Sequence, residues 1–267
     1  MAISILDLFS NLDKITRPDY ILFFLMVFIV TFLAAIIFPS RKPQLRRLPQ
    51  LTAADEYISM AAERGQPVVY YFGLGNQMAT GGVNDVNAWC QVIKYSAQKT
   101  GELENMSHGI GRSPQAYMLL ADYVRQGYME SPHPELFVPS NFYQVPGGIT
   151  ESGADSVELM DIVNRRGCGA LFLYGTMGDS FRLYMASETA MTKYGAYCWH
   201  CSNGGWAQGF AGAFSDTTTL SDEYLTLGAY LADDPKMTAP FIGKDIVKLI
   251  ITAWLIILNI LTVLGLT

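Results

Sequence analysis

Charge is scarce in this 267-residue chain: 16% of the residues are charged against 50% hydrophobic, and the mean hydropathy is +0.20. A disordered chain needs the opposite balance, so disorder is excluded, and a fully soluble domain is a poor fit. Positive charge is scarcest in the middle, where residues 51–243 hold ten basic and twenty acidic side chains. So acidic a stretch has no footprint for a phosphate backbone, which argues against nucleic acid as a partner. The chain shows no internal repeat and no low-complexity tract.

Metal-binding and nucleophilic side chains are also few: four cysteines and three histidines. Cys198 and Cys201 have CxxC spacing, but a redox pair needs its first thiol at a helix N-terminus. Here the motif ends a strand and runs into Ser202, Asn203, Gly204 and Gly205. Cys90 and Cys168 fall on a helix and ahead of a strand, without the spacing of a zinc site. The thiols read as small buried side chains, reduced in a cytoplasmic domain. His108, His133 and His200 form no hydrolytic set, and no serine occupies a nucleophile elbow. Asp155, Glu158 and Asp161, at helical spacing, are expected to form a solvated face. No catalytic residue, metal site or cofactor is expected.

What the chain does have is two long apolar runs. Residues 20–38 (YILFFLMVFIVTFLAAIIF) carry no charge and are long enough to cross a hydrocarbon core of roughly 30 Å as a helix. A cleaved signal peptide would need a basic start and a shorter run, and residues 1–19 are net acidic. Residues 246–266 form the second run, with Lys248 able to snorkel to the interface. Arg41, Lys42, Arg46 and Arg47 follow the first run, and Lys244 and Lys248 precede or enter the second. The positive-inside bias therefore expects residues 51–243 in the cytoplasm and both termini outside. Asn259, an amide within the second run, is a candidate for hydrogen bonding to another helix. Residues 1–19 are expected to be a short extracytoplasmic or interfacial segment, and residues 39–50 a basic, proline-rich linker facing the lipid head groups.

Between the runs, strand and helix patterns alternate. Strands are expected at 67–72, 103–108, 136–138, 169–174, 196–201 and 211–218. Helices are expected at 52–64 (capped by Thr52), 83–100, 114–127, 152–165, 179–193 and 220–231. That alternation predicts an α/β domain: a three-layer, mostly parallel, Rossmann-like sheet with a transmembrane helix on either side. Right-handed crossovers then gather the strand-to-helix loops at one edge, where open α/β sheets bind ligands.

The most suggestive loop carries Gly73, Gly75, Asn76, Gly81 and Gly82 ahead of a helix, whose free N–H groups suit a phosphate or carboxylate. It lacks the third glycine of a dinucleotide fingerprint and the Gly-Lys-Ser/Thr ending of a P-loop, and such turns also arise for steric reasons alone. Arg112 and Asp179, beside other glycines at the same edge, could orient a ligand or cap the helices they precede.

Several blocks carry a family resemblance: residues 53–57 (AADEY), 64–68 (RGQPV), 222–235 (DEYLTLGAYLADDP) and 243–249 (GKDIVKL). Over most of residues 50–250 the chain resembles an uncharacterised prokaryotic family of membrane-anchored proteins, the domain of unknown function 6754. The resemblance implies a membrane-tethered α/β domain without an assigned activity, and it transfers no catalytic residue. The leading expectation is a non-catalytic, membrane-anchored accessory or scaffold subunit. Its partners would be the bilayer and either copies of itself or a membrane complex, a reading supported by the abundance of Tyr and Met. The alternative is a membrane-tethered sensor or enzyme that binds a small anion or nucleotide at the glycine-rich edge.

Overall fold

The computed structural model describes residues 25–30, 32–33, 36, 47–73, 83–145, 154–176, 181–202, 212–219, 221–232, 242 and 245–257. The chain divides into two compact units, residues 44–233 and residues 1–43 together with 234–267.

Residues 44–233 form the α/β unit. Its strands are β1 (Val68–Phe72), β2 (Ser107–Gly111), β3 (Phe142–Gln144), β4 (Ala170–Thr176), β5 (Tyr197–Ser202) and β6 (Thr217–Thr219). Its helices are α1 (Pro49–Glu63), α2 (Val83–Glu102), α3 (Pro114–Met129), α4 (Ala154–Arg166), α5 (Phe181–Tyr194) and α6 (Ser221–Ala232). The six strands make one parallel sheet in the order β3-β2-β1-β4-β5-β6. Strand order therefore reverses between β1 and β4. Both edge strands are only three residues long, which leaves little free edge for another chain to pair with.

The period-two pattern of the strands divides the core. Val68, Tyr70, Phe72, Ala170, Phe172, Tyr174, Trp199 and Cys201 face one way and pack with buried residues of α1, α2, α3 and α6. Val69, Tyr71, Ile110, Leu171, Leu173 and Cys198 face the other way, against α4 and α5. The first layer is aromatic: Phe172 lies 5.7 Å from Tyr70 and 5.4 Å from Trp199, and Trp89 lies 5.3 Å from Tyr224. Among the described residues seven tyrosines (57, 70, 71, 128, 174, 184 and 224) are buried. Much of the tyrosine content thus builds the core, and several hydroxyls are paired inside it, as when Tyr128 donates to the Asn105 carbonyl at 2.9 Å.

Several element boundaries differ from expectation. α1 starts at Pro49, a turn before Thr52, because proline at the first helical position is already set to a helical φ; no side chain caps it. β2 lies four residues beyond the expected start, and Gly109 and Gly111 sit inside the strand. Both are needed there: a Cβ on Gly111 would lie 2.2 Å from the Tyr117 nitrogen, and one on Gly109 2.6 Å from the Phe142 ring. α3 therefore lies directly on β2. No strand forms at 136–138; Pro134 and Pro139 each open a 3₁₀ turn, and pairing begins at Phe142.

Three of the helix ends use left-handed glycines, Gly65, Gly167 and Gly195. After α1, the Gly65 and Gln66 N–H groups bond back to Ala62 and Ala61, the double bond of a Schellman turn. α2 closes in the same way, with Glu104 and Asn105 bonding to Gly101 and Thr100, but its left-handed residue is Glu104, at φ 53°.

In the other unit, helical residues 25–30, 32–33, 36 and 245–257 show apolar side chains at the surface. Phe28 is 69% exposed and Leu249 70%. Among the described residues no helix is long and apolar enough to cross a membrane. Residues 1–19 and 39–46 lie outside the described residues, as do parts of both apolar runs.

Candidate functional site

The carboxyl ends of β1 and β4 meet where strand order reverses, the place at which open α/β sheets leave a crevice. The backbone ladder runs one residue beyond the strands. Gly73 N–H donates to the Tyr174 carbonyl at 2.8 Å, and Arg112 N–H to the Phe72 carbonyl at 3.0 Å. Gly175 has φ 66°, and the β4–β5 register shifts between Tyr174 and Thr176. A Cβ on Gly73 would lie 2.8 Å from both the Gly175 oxygen and the Tyr71 ring. Two glycines thus bring two strands together at the rim, where any side chain would force them apart.

A buried polar network lies beside Gly73. Tyr71 is on β1, Arg112 directly follows β2, and Asp155 is in the first turn of α4. The Tyr71 hydroxyl donates to Asp155 Oδ2 at 2.6 Å, and Ser156 N–H donates to Asp155 Oδ1 at 2.9 Å. Arg112 Nε stands 3.6 Å from Asp155 Oδ2, and the two side chains are 4% and 2% exposed. The carboxylate is thus held by a phenol, a backbone N–H at a helix start and a neighbouring cation.

Two expectations change here. Arg112 is a buried cation beside Asp155. Its side chain does not cap α3: Ser113 does, accepting from the Ala116 N–H at 3.1 Å. Asp155 does not belong to a solvated face; it is 1% exposed, whereas Asp161 lies at the surface 2.7 Å from Arg165. Helical spacing held the signal, since Asp155 precedes Leu159 by four and Ile162 by seven, on the stripe that faces the core. Tyr71, Asp155 and Gly175 are the residues that sequence reasoning missed. Of the others, Gly73 stands at the reversal point, while Gly75, Asn76, Gly81, Gly82 and Asp179, together with Asn259, lie outside the described residues.

Cys198 and Cys201 are three apart on β5 and so face opposite sides of the sheet. Cys201 Sγ accepts from the Trp89 indole at 3.0 Å, and Cys198 Sγ is 3.7 Å from the Ser187 carbonyl. All four thiols are free and buried. Burial pushes Cys90 and Cys201 up to about 12 and raises Cys168 and Cys198 as well, so none supplies a thiolate near neutral pH. Burial also lowers the His200 imidazole to about 3; its ring lies 5.3 Å from Tyr184. Among the described residues no group of His, Cys, Asp and Glu could hold a metal ion.

A parallel six-stranded sheet in this order, with helices on both faces, defines a Rossmann-like α/β domain. Residues 10–267 match the family model of a domain of unknown function, DUF6754, and the chain belongs to that family. No curated protein and no solved structure matches it.

Proposed function

We propose that this protein is a membrane-anchored, non-catalytic subunit whose α/β domain associates with copies of itself or docks on a membrane protein complex. The observation that carries the reading is the apolar surface of residues 25–30, 32–33, 36 and 245–257, where Phe28, Ile36, Leu249 and Ile256 are each more than half exposed. So much exposed apolar surface is unfavourable in water and calls for lipid or protein cover. The thiols that would otherwise suggest chemistry are buried in the core. The basic residues beside the apolar runs support a reading with the domain on the cytoplasmic side and both termini outside. Mild-detergent extraction followed by mass measurement tests the subunit role: a mass above one chain is expected, and a monodisperse single chain without partners contradicts it.

One geometric feature favours a second reading, a ligand-binding sensor or enzyme. Gly73 and Gly175 meet at the strand reversal, and the glycine-rich segment 74–82 leaves from that point. Binding there would use backbone N–H groups with Asn76 and Arg112. This reading expects a nucleotide or small anion to raise the melting temperature, with the rise lost in Asn76→Ala. A broad metabolite screen without any thermal shift retires it.

A further inference from the structure

Arg47, the last basic residue of the segment read as a linker, is held by the domain. Its guanidinium bonds the Asp55 carboxylate of α1 and lies 3.5 Å from the Tyr95 hydroxyl of α2. Tyr95 in turn donates to Asp55 Oδ1 at 2.8 Å, and Lys99 Nζ stands 5.9 Å from the Tyr95 ring centre. The neighbouring Leu48 and Leu51 are buried in the aromatic core layer. Burial and the bond to Asp55 raise the Tyr95 phenol, so it remains a donor throughout the neutral range.

We propose that Arg47, Asp55 and Tyr95 form a clasp that fixes the domain end of the tether at residue 47 and opens by local unfolding of the chain around Leu48. Arg47 then serves the domain, while Arg41, Lys42 and Arg46 remain for lipid head groups. That division of labour rests on the anchoring reading; the clasp itself does not. Because the Arg47–Asp55 pair is 45% and 29% exposed, it is weak and sensitive to salt.

The test is limited trypsin digestion of the full chain in mild detergent, with cut sites read by mass spectrometry. Cutting after Arg47 needs the clasp open. Asp55→Asn is expected to speed it by about two- to fivefold relative to cutting after Arg46, the range an exposed pair can supply. Tyr95→Phe, which keeps the ring and removes the hydroxyl, is expected to act in the same direction. Raising NaCl is expected to speed the wild-type cut and leave Asp55→Asn unchanged. Equal rates in all three chains, with domain melting intact, overturn the clasp. Release of the chain from membranes at high pH would instead overturn the anchor, so the two failures are distinguishable.

Discussion

Arg112 Nε lies 3.6 Å from Asp155 Oδ2, and neither side chain reaches more than a few per cent of its possible exposure. The pair joins the end of β2 to the start of α4, the helix that carries the chain from β3 back across to β4. Deleting one member strands the other charge in the core. Asp155→Ala is therefore expected to cost about 3–5 kcal/mol in urea unfolding, while the paired replacement Arg112→Met with Asp155→Leu costs far less. Tyr71→Phe, which removes the hydroxyl that donates to the carboxylate, is expected to cost roughly 1.5–3 kcal/mol. A loss below 1 kcal/mol for Asp155→Ala would mean that the pair is solvated.

Glycine substitutions separate two uses of the same residue. Gly73→Ala brings a methyl to 2.8 Å from the Gly175 oxygen, whereas Gly111→Ala brings one to 2.2 Å from the Tyr117 nitrogen. Backbone cannot move aside as a side chain can, so both variants are expected to lose about 1–3 kcal/mol, with Gly111→Ala the worse. The reverse order in thermal melts would contradict the close seating of α3 on β2.

Glu104 occupies the left-handed position that glycine holds at three other helix ends. Its exposed carboxylate lies 3.4 Å from the partly buried His133, an interaction of little energy in water. Glu104→Gly is accordingly expected to stabilise the domain by about 1 kcal/mol. A loss of stability would show that the His133 contact outweighs the backbone strain.

Acid should weaken the fold through a buried histidine. The folded His200 remains neutral down to about pH 3, whereas in the unfolded chain it takes a proton near pH 6.5. Above pH 6.5 neither state is protonated and the term vanishes. As pH falls from 6.5 toward 3 only the unfolded chain gains a proton, so stability is lost at about 1.4 kcal/mol per pH unit. His108, lowered by burial and by Arg166, acts in the same direction. Denaturant unfolding between pH 7.5 and 5 is expected to show this slope, reduced in His200→Gln. An unchanged slope in the variant would place the loss elsewhere.

Much of the fold was legible where apolar runs were long. β1 is an unbroken stretch of Val, Tyr and Phe and β4 carries Leu171, Phe172, Leu173 and Tyr174 in a row, and their parallel pairing followed from the helices between them. β2 was displaced because Ser107, His108, Gly109, Ile110 and Gly111 include a single strong strand former; α3 packing and pairing with β1 hold it extended. The glycine at the rim was legible as Gly73, but its purpose depends on Gly175, far along the chain. Arg112 was placed at the correct edge, but its neighbour Asp155 was not foreseen, because that residue belongs to a helix whose charged residues looked uniformly solvent-facing. Local pattern supplied position; partnership needed the tertiary structure.

The claim on which the account turns is that the apolar runs at 20–38 and 246–266 hold the chain in a bilayer. Washing membranes that contain the full-length protein at high pH, then separating pellet from supernatant, tests it most directly. The account expects the chain to stay with the lipid pellet. Its recovery in the supernatant, with an integral protein retained as control, would contradict the anchor.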